Sequence, residues 1–170
     1  MAWASTYSNR GKLLEQIIEV ANRQYRNKGI AEIQKIATPV KVLRTDKNGK
    51  IYGFWEKKST VDFIGVCNGI PIAFDAKETT GKSLKFDNIH KHQIEFMTNW
   101  QQRGGQAFLV VYFSELNRYF RLSILELLQY MKNPLKSNKK SIPIKYFEEY
   151  AIELKTGQVF VLDYLKGLRK

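Results

Sequence analysis

The chain has 170 residues, 44% of them hydrophobic and 26% charged, which is enough apolar material for a buried core and excludes a disordered polypeptide. Its formal net charge of +12 makes a polyanion the expected partner, nucleic acid first among them. No apolar run approaches the length of a membrane span, the N-terminus lacks the order of a secretory signal, and the single Cys67 forms no internal disulfide, so a reducing, cytoplasmic compartment and no membrane role are expected.

In chain order, Ser8 or Asn9 is placed to cap a first helix reaching about Asn27. Leu13, Leu14, Ile17, Ile18, Ala21 and Tyr25 recur in it at helical spacing, and Gly29 is its stop. "IAEIQKI" and "PVKVL" read as strands interrupted by Pro39. "TDKNGK" is a turn with Asn48-Gly49 at its tip, and "IYGFWEKK" returns from it. This 40–58 hairpin interleaves Lys41, Arg44, Lys47, Lys50, Lys57 and Lys58 with Tyr52, Phe54 and Trp55. The cations suit phosphates and the aromatics suit exposed bases. The alternative is that the aromatics fill a core or a dimer interface, and for Trp55 the two options balance.

Residues 59–79, "STVDFIGVCNGIPIAFDAKET", form two short apolar runs joined by Asn68-Gly69, the signal of a two-residue turn with positive φ at both positions. In that register Cys67 faces Ile70, Gly65 faces Ile72 and Asp62 faces Asp75, in the close, non-hydrogen-bonded class of pair. Like charges across a sheet repel. Asp75 and Lys77 share a face by the period of two, with Thr60 on the Asp62 side. Two carboxylates, a hydroxyl and an ammonium therefore gather, and a hard divalent cation with oxygen ligands would remove the repulsion. A solvated strand end with a surface salt bridge is the alternative for the aspartates and lysine alone.

Beyond the hairpin, "TTGKSLKFDN" reads as a polar loop and His90 to Arg103 as a helix ended by Gly104-Gly105. "QAFLVVYF" is an apolar run suited to a central strand, and "YFRL" is a strand after it. Ser123-x-x-Glu126 is a capping box. "MKNPLKSNKKSIP" is a basic loop carrying Lys136, Lys139 and Lys140, and "YAIEL" and "VFVLDYL" read as a last hairpin about Thr156-Gly157. His90 and His92, two apart on a helix, are expected to point in different directions as surface or phosphate contacts. With no repeat or low-complexity linker, the expectation is one α/β domain over residues 1–170.

Asp62 followed by Asp75-Ala76-Lys77 resembles the PD-(D/E)xK nuclease motif, and the surrounding text resembles the RecU family of Holliday-junction resolvases. "NRGKLLE", "STVDFIGVCNGIPIAFDAKET", "HKHQIEFM", "SIPIKYFEEY" and "DYLKG" carry the likeness, in the family's order and over nearly the whole chain. The resemblance implies a restriction-endonuclease-like mixed β-sheet flanked by helices, with residues 40–58 as a protruding basic stalk. It implies a Mg²⁺ site, with Mn²⁺ as substitute, held by Thr60, Asp62, Asp75 and Gln93, and Lys77 as the transition-state lysine. Glu15 matches a glutamate that related archaeal resolvases place near the metal; a solvated helix residue is the equal alternative. Arg10 and Lys12 join Lys41, Arg44, Lys47, Lys50, Tyr52, Phe54, Lys57 and Lys58 as DNA-binding candidates. Two departures stand out: Asp75 replaces the family's usual glutamate, and Val61 stands where a second threonine is common. The implied activity is resolution of four-way junctions by paired nicks in recombination and repair. It requires a homodimer, with branched DNA as substrate and a recombinase or branch-migration protein as further partner, in a bacterium or phage. The alternatives are a same-fold nuclease acting on flaps or duplex, and a non-catalytic basic architectural protein binding branched DNA.

Overall fold

Apolar residues at helical spacing give α1 (Lys12–Asn27) one sealed face, on which Leu14, Ile18, Ala21 and Tyr25 are fully buried, while Leu13 turns to solvent. The computed structural model describes residues 12–55, 60–133 and 139–168, the Trp55 side chain excepted. Ser8, Asn9, Arg10, Lys57, Lys58 and Lys136 lie outside the described residues. After α1 come β1 (Ala31–Lys35), β2 (Val40–Thr45), β3 (Ile51–Trp55), β4 (Phe63–Cys67), β5 (Ile70–Thr79) and β6 (Ser83–Lys85). A 3-10 turn (Phe86–Asn88) leads to α2 (Lys91–Gln102), β7 (Gln106–Phe113), β8 (Arg118–Ser123), α3 (Ile124–Lys132), β9 (Ser141–Pro143), α4 (Ile144–Tyr150) and β10 (Ile152–Leu154).

The main sheet has six strands in the order β1-β4-β5-β7-β8-β10. Only the β5–β7 pair is parallel, with α2 in its crossover, and the other pairs are antiparallel. This is the mixed α/β sheet flanked by helices that the sequence leads one to expect. Phe63, Phe74 and Phe108 stack in a row under α1 and residues 160–165. Ala73, Leu109, Val111 and Leu122 line the opposite face with residues of α2, α3 and α4. β7 is buried from Ala107 to Phe113, as its unbroken apolar run requires.

The Asn68-Gly69 turn has φ of 48° and 80°, and the expected register holds from Cys67↔Ile70 to Phe63↔Phe74. It ends there. β4 begins at Phe63, whereas β5 runs ten residues and pairs alone with β7 beyond Phe74. Asp62 and Thr60 therefore stand outside the ladder, and Asp75 is mid-strand rather than at an open end. The chain bends at Asp62 toward β1, whose next residue, Ile36, donates its N–H to the Asp62 carbonyl at 2.8 Å.

Two other expectations change. The polar loop after β5 contains β6, which pairs with β9 from the basic loop. The last hairpin does not form: β10 pairs with β8, and the described residues after Leu154 include no strand. Side chains hold that segment instead. Tyr25 donates its hydroxyl to Asp163, Val161 N–H donates to Gln24, and Arg121 donates to the Tyr164 carbonyl at 2.9 Å. Among the described residues the β2–β3 ribbon pairs with no other strand, and every residue of β2 is exposed.

Gly65 lets β1 approach β4 closely. A Cβ there would collide with the Glu32 carbonyl oxygen and come 2.7 Å from Ile33 Cα. Gly65→Ala is expected to destabilise by about 1–3 kcal/mol, seen as a fall of several degrees in the thermal melt. An unchanged melt would mean that β1 can move away freely.

Candidate active site

Burial makes the site. Asp75 lies at the centre of the sheet, opposite Leu109 on β7, and its side chain is fully buried. Lys77, opposite Val111 and on the same face, brings its ammonium 2.6 Å from Asp75 Oδ2. That oxygen is buried with no aligned hydrogen-bond donor. Gln93, on the first turn of α2, donates Nε2 to Asp75 Oδ1 at 2.6 Å. Its Oε1 accepts from Lys77 Nζ at 3.1 Å and from the His90 backbone N–H at 3.2 Å. Gln93 is thus a buried clamp on both charged groups and not an ordinary helix-surface glutamine.

Asp62 reaches the same place by another route. Its Oδ2 accepts the Ala76 N–H at 2.9 Å, so a side chain takes a bond that a longer β4 would have made with its backbone. The two carboxylates are close enough for the charge of Asp75 to act on Asp62. Burial first, and then that charge, pushes the Asp62 carboxyl up to about 6. Burial also raises the Asp75 carboxyl, while Lys77 opposes the rise. Each carboxylate would be relieved by added positive charge.

Beside them opens a cleft of about 520 Å³ lined by Glu15, Asp62, Lys77, Lys85, Asn88 and His90, among others. Glu15 reaches its rim, but its carboxylate is bound to Lys35 at 2.7 Å. Thr60 is exposed and is not among the lining residues; Val61 is buried in the core. His90 and His92 do not diverge: their rings stack 5.5 Å apart, because His90 is the extended N-cap residue rather than part of the helix. On the ribbon, Arg44 and Lys50 flank the Tyr52 ring at 4.4 and 5.5 Å, and Lys41 lies 6.0 Å from Phe54. Those aromatics are at the surface, not in the core. Lys12 and Lys47 are exposed too. Sequence reasoning missed Lys35, Lys85, Asn88 and the Ala76 N–H. Lys85 had no signal, because only the β6–β9 pairing fixes its segment; Ala76 could have been found from Asp62 lying opposite the end of β5.

Among the described residues no three His, Cys, Asp or Glu side chains group as a metal cluster. The donors present still fit a hard divalent ion, which uses few protein carboxylates beside phosphate and water. The buried Asp75 oxygen without an aligned donor is the observation that favours one.

One carboxylate on β5 and one just ahead of β4, a lysine two residues after the first of these and a buried glutamine from the crossover helix have the residue pattern of the PD-(D/E)xK motif that the sequence resembles. The family model described as Recombination protein U matches residues 9–170, and the chain belongs to that family. The Holliday junction resolvase RecU of Pediococcus pentosaceus is 34% identical over 170 residues, covering 96% of this chain and 85% of the relative. The protein of that name from Geobacillus sp. matches with the same identity and coverage. Among solved structures, Archaeoglobus fulgidus Hjc, a Holliday junction resolvase from an archaeal hyperthermophile, aligns with a TM-score of 0.49 at 11% identity, over 84% of this chain and 95% of that one.

The raised Asp62 carboxyl has a measurable consequence. The folded state keeps its proton to about pH 6, whereas the unfolded chain releases it near 3.8. Its contribution to stability is thus present below the lower value and is lost as pH rises through the upper one. Asp62→Asn keeps an acceptor for Ala76. Without metal, its melting temperature should match wild type in acid and exceed it increasingly from pH 3.8 to about 6, then level off. Added Mg²⁺ should stabilise wild type more than the variant. Parallel melting curves across pH would show that this carboxylate is not desolvated.

Proposed function

We propose that this chain is a metal-dependent DNA endonuclease that resolves four-way (Holliday) junctions, acting as a homodimer in the bacterial cytoplasm. The observation that carries the reading is the Asp75–Lys77–Gln93 triad, its aspartate and glutamine buried, with Asp62 fixed across from it by the Ala76 N–H. Family membership and the names of the relatives support the substrate. Two nicks on symmetric strands call for two sites, hence a two-fold dimer.

Asp62 and Asp75 would hold Mg²⁺, or Mn²⁺ in its place, with Gln93 and Thr60 as the further oxygen donors that the family resemblance implies. When bound, the ion supplies Lewis acidity and charge neutralisation at the scissile phosphate. The chain's own groups do the rest. Gln93 orients Asp75 and Lys77 together, so neither side chain samples other rotamers freely. The Lys77 ammonium, partly exposed at the cleft, can face the phosphate and stabilise negative charge that grows on its oxygens. Buried Leu109 and Val111 keep the strand beneath these groups dry, which strengthens their electrostatic action.

The ribbon supports junctions over plain duplex. Its cations make sequence-independent phosphate contacts, and its exposed aromatics need accessible bases, which a junction centre offers. Replacing residues 45–52 by a short Gly-containing turn should therefore weaken junction binding far more than duplex binding. Equal losses on both, with the circular dichroism spectrum intact, would favour a general nuclease on flaps or duplex.

The test of the chemistry is Mg²⁺-dependent cleavage of a mobile four-way junction. Asp75→Asn should abolish cleavage and leave junction affinity near wild type, because affinity comes mainly from phosphate contacts. Lys77→Ala should lose about 100-fold or more in single-turnover rate while retaining much of the metal affinity. Near wild-type cleavage by Asp75→Asn would remove this site from the reaction, and binding without cleavage by the wild type would leave a non-catalytic architectural protein.

A further inference from the structure

The fold assembles a second set of cations that the sequence scatters. β6 and β9 pair antiparallel, Ser83 with Pro143 and Lys85 with Ser141. The pairing extends at both ends: Phe86 N–H donates to the Lys140 carbonyl and Ile144 N–H to the Lys82 carbonyl, each at 2.9 Å. By this register Lys85 lies opposite Ser141 with Lys140 one position along, and Lys82 lies opposite Ile144 with Lys145 one position along; Lys139 adjoins Lys140. All five lysines are exposed, and none makes an ion pair with a described residue. Beneath them Leu84 and Ile142 are fully buried in the core, so the ribbon is fixed to the body of the protein. Lys85 also lines the cleft that holds Asp62 and Lys77.

We propose that this β6–β9 ribbon is a track for the phosphate backbone of a duplex DNA arm, leading a strand into the cleft; the inference rests on the DNA endonuclease reading. Lysines gathered without acidic partners repel one another, and a polyanion is the ligand that relieves them. The outward positions between them, Ser83, Ser141 and Pro143, offer no aromatic for base stacking and no large apolar group for a protein interface. The two lysine pairs are separated by three residues of strand, about 10 Å. That is about the axial rise of three nucleotides along one strand. The β2–β3 ribbon differs on each count, having exposed aromatics, exposed aliphatics and no core anchor among its β2 residues.

The test replaces Lys82, Lys85, Lys140 and Lys145 together by Gln in the full chain. Binding to a labelled four-way junction and to a linear duplex is followed by fluorescence anisotropy in EDTA, from about 50 to about 200 mM salt. The slope of log affinity against log salt should become shallower by about two to four, by the same amount on both DNAs. Lys85→Glu alone should weaken both DNAs more than Lys85→Gln, with circular dichroism confirming the fold. Unchanged slopes on both DNAs would overturn the track and leave these lysines solvated or bound by an acidic protein. A slope change confined to the junction would also overturn it, because a phosphate track cannot tell an arm from a duplex. The resolvase reading is judged separately: it fails if wild type binds and cuts the junction no better than the duplex, whatever the lysines do.

Discussion

Everything at the candidate site depends on a carboxylate placed where a sheet protein would ordinarily keep an apolar side chain. Asp75 is on a strand central in the sheet order, pairs with Leu109 of β7, and is fully shielded from solvent. Burying a lone carboxylate is strongly unfavourable, and a buried pair stays intact only if its remaining polar atoms are satisfied. Lys77 and Gln93 meet part of that requirement, and one oxygen is left without an aligned donor. Hydrophobic residues of similar size would stabilise this strand better. Folding stability alone thus does not explain the composition of the triad, which accords with the catalytic role proposed for it.

The second carboxylate is positioned by what ends. β4 begins one residue after Asp62, where the chain bends and the Asp62 carbonyl accepts the Ile36 N–H just beyond β1. Freed from the ladder, the Asp62 side chain turns inward and takes the Ala76 N–H. A perfect hairpin would have set the two carboxylates in register and used the Ala76 N–H on backbone. The interrupted one aims both at a single place and leaves no backbone donor wasted.

Much of this was legible in the residues. The Asn68-Gly69 turn, the period of two and the apolar run of β7 specify the register and the shared face of Asp75 and Lys77, because those are local rules of a pleated strand. Where pairing stops is not a local property, so Asp62 was expected opposite Asp75 when it in fact leaves the sheet. Gln93 carries no local signal at all; only the family resemblance singles it out, and only the packing of α2 against β5 explains it. The C-terminal segment misled for a similar reason. "VFVLDYL" has the composition of a strand, but Tyr25, Gln24 and Arg121 offer side-chain partners that hold it irregular against α1 and the sheet. His90 and His92 converge because a cap residue does not obey helical spacing.

The charge distribution resolves an apparent conflict between composition and site. A chain with a net charge of +12 keeps one buried and one half-buried carboxylate, with Glu15 nearby, beside the cleft that on the proposed reading receives a polyanion. Unrelieved, that centre would repel the phosphate it is meant to receive. On the proposed reading, affinity and chemistry are carried by different residues: exposed lysines and arginines on two ribbons at the periphery, and a compact anionic centre beside the cleft. Lys77 belongs to both sets, since it neutralises Asp75 within the fold and presents its ammonium to the cleft. Exposed cations contribute in proportion to the salt they release and tolerate movement. The centre cannot, because a carboxylate displaced by one rotamer changes every interaction in a low-dielectric site. On that reading, the difference in tolerance matches the way the molecule is built, with cations on thin two-stranded ribbons, Asp75 on a buried central strand and Asp62 just ahead of β4.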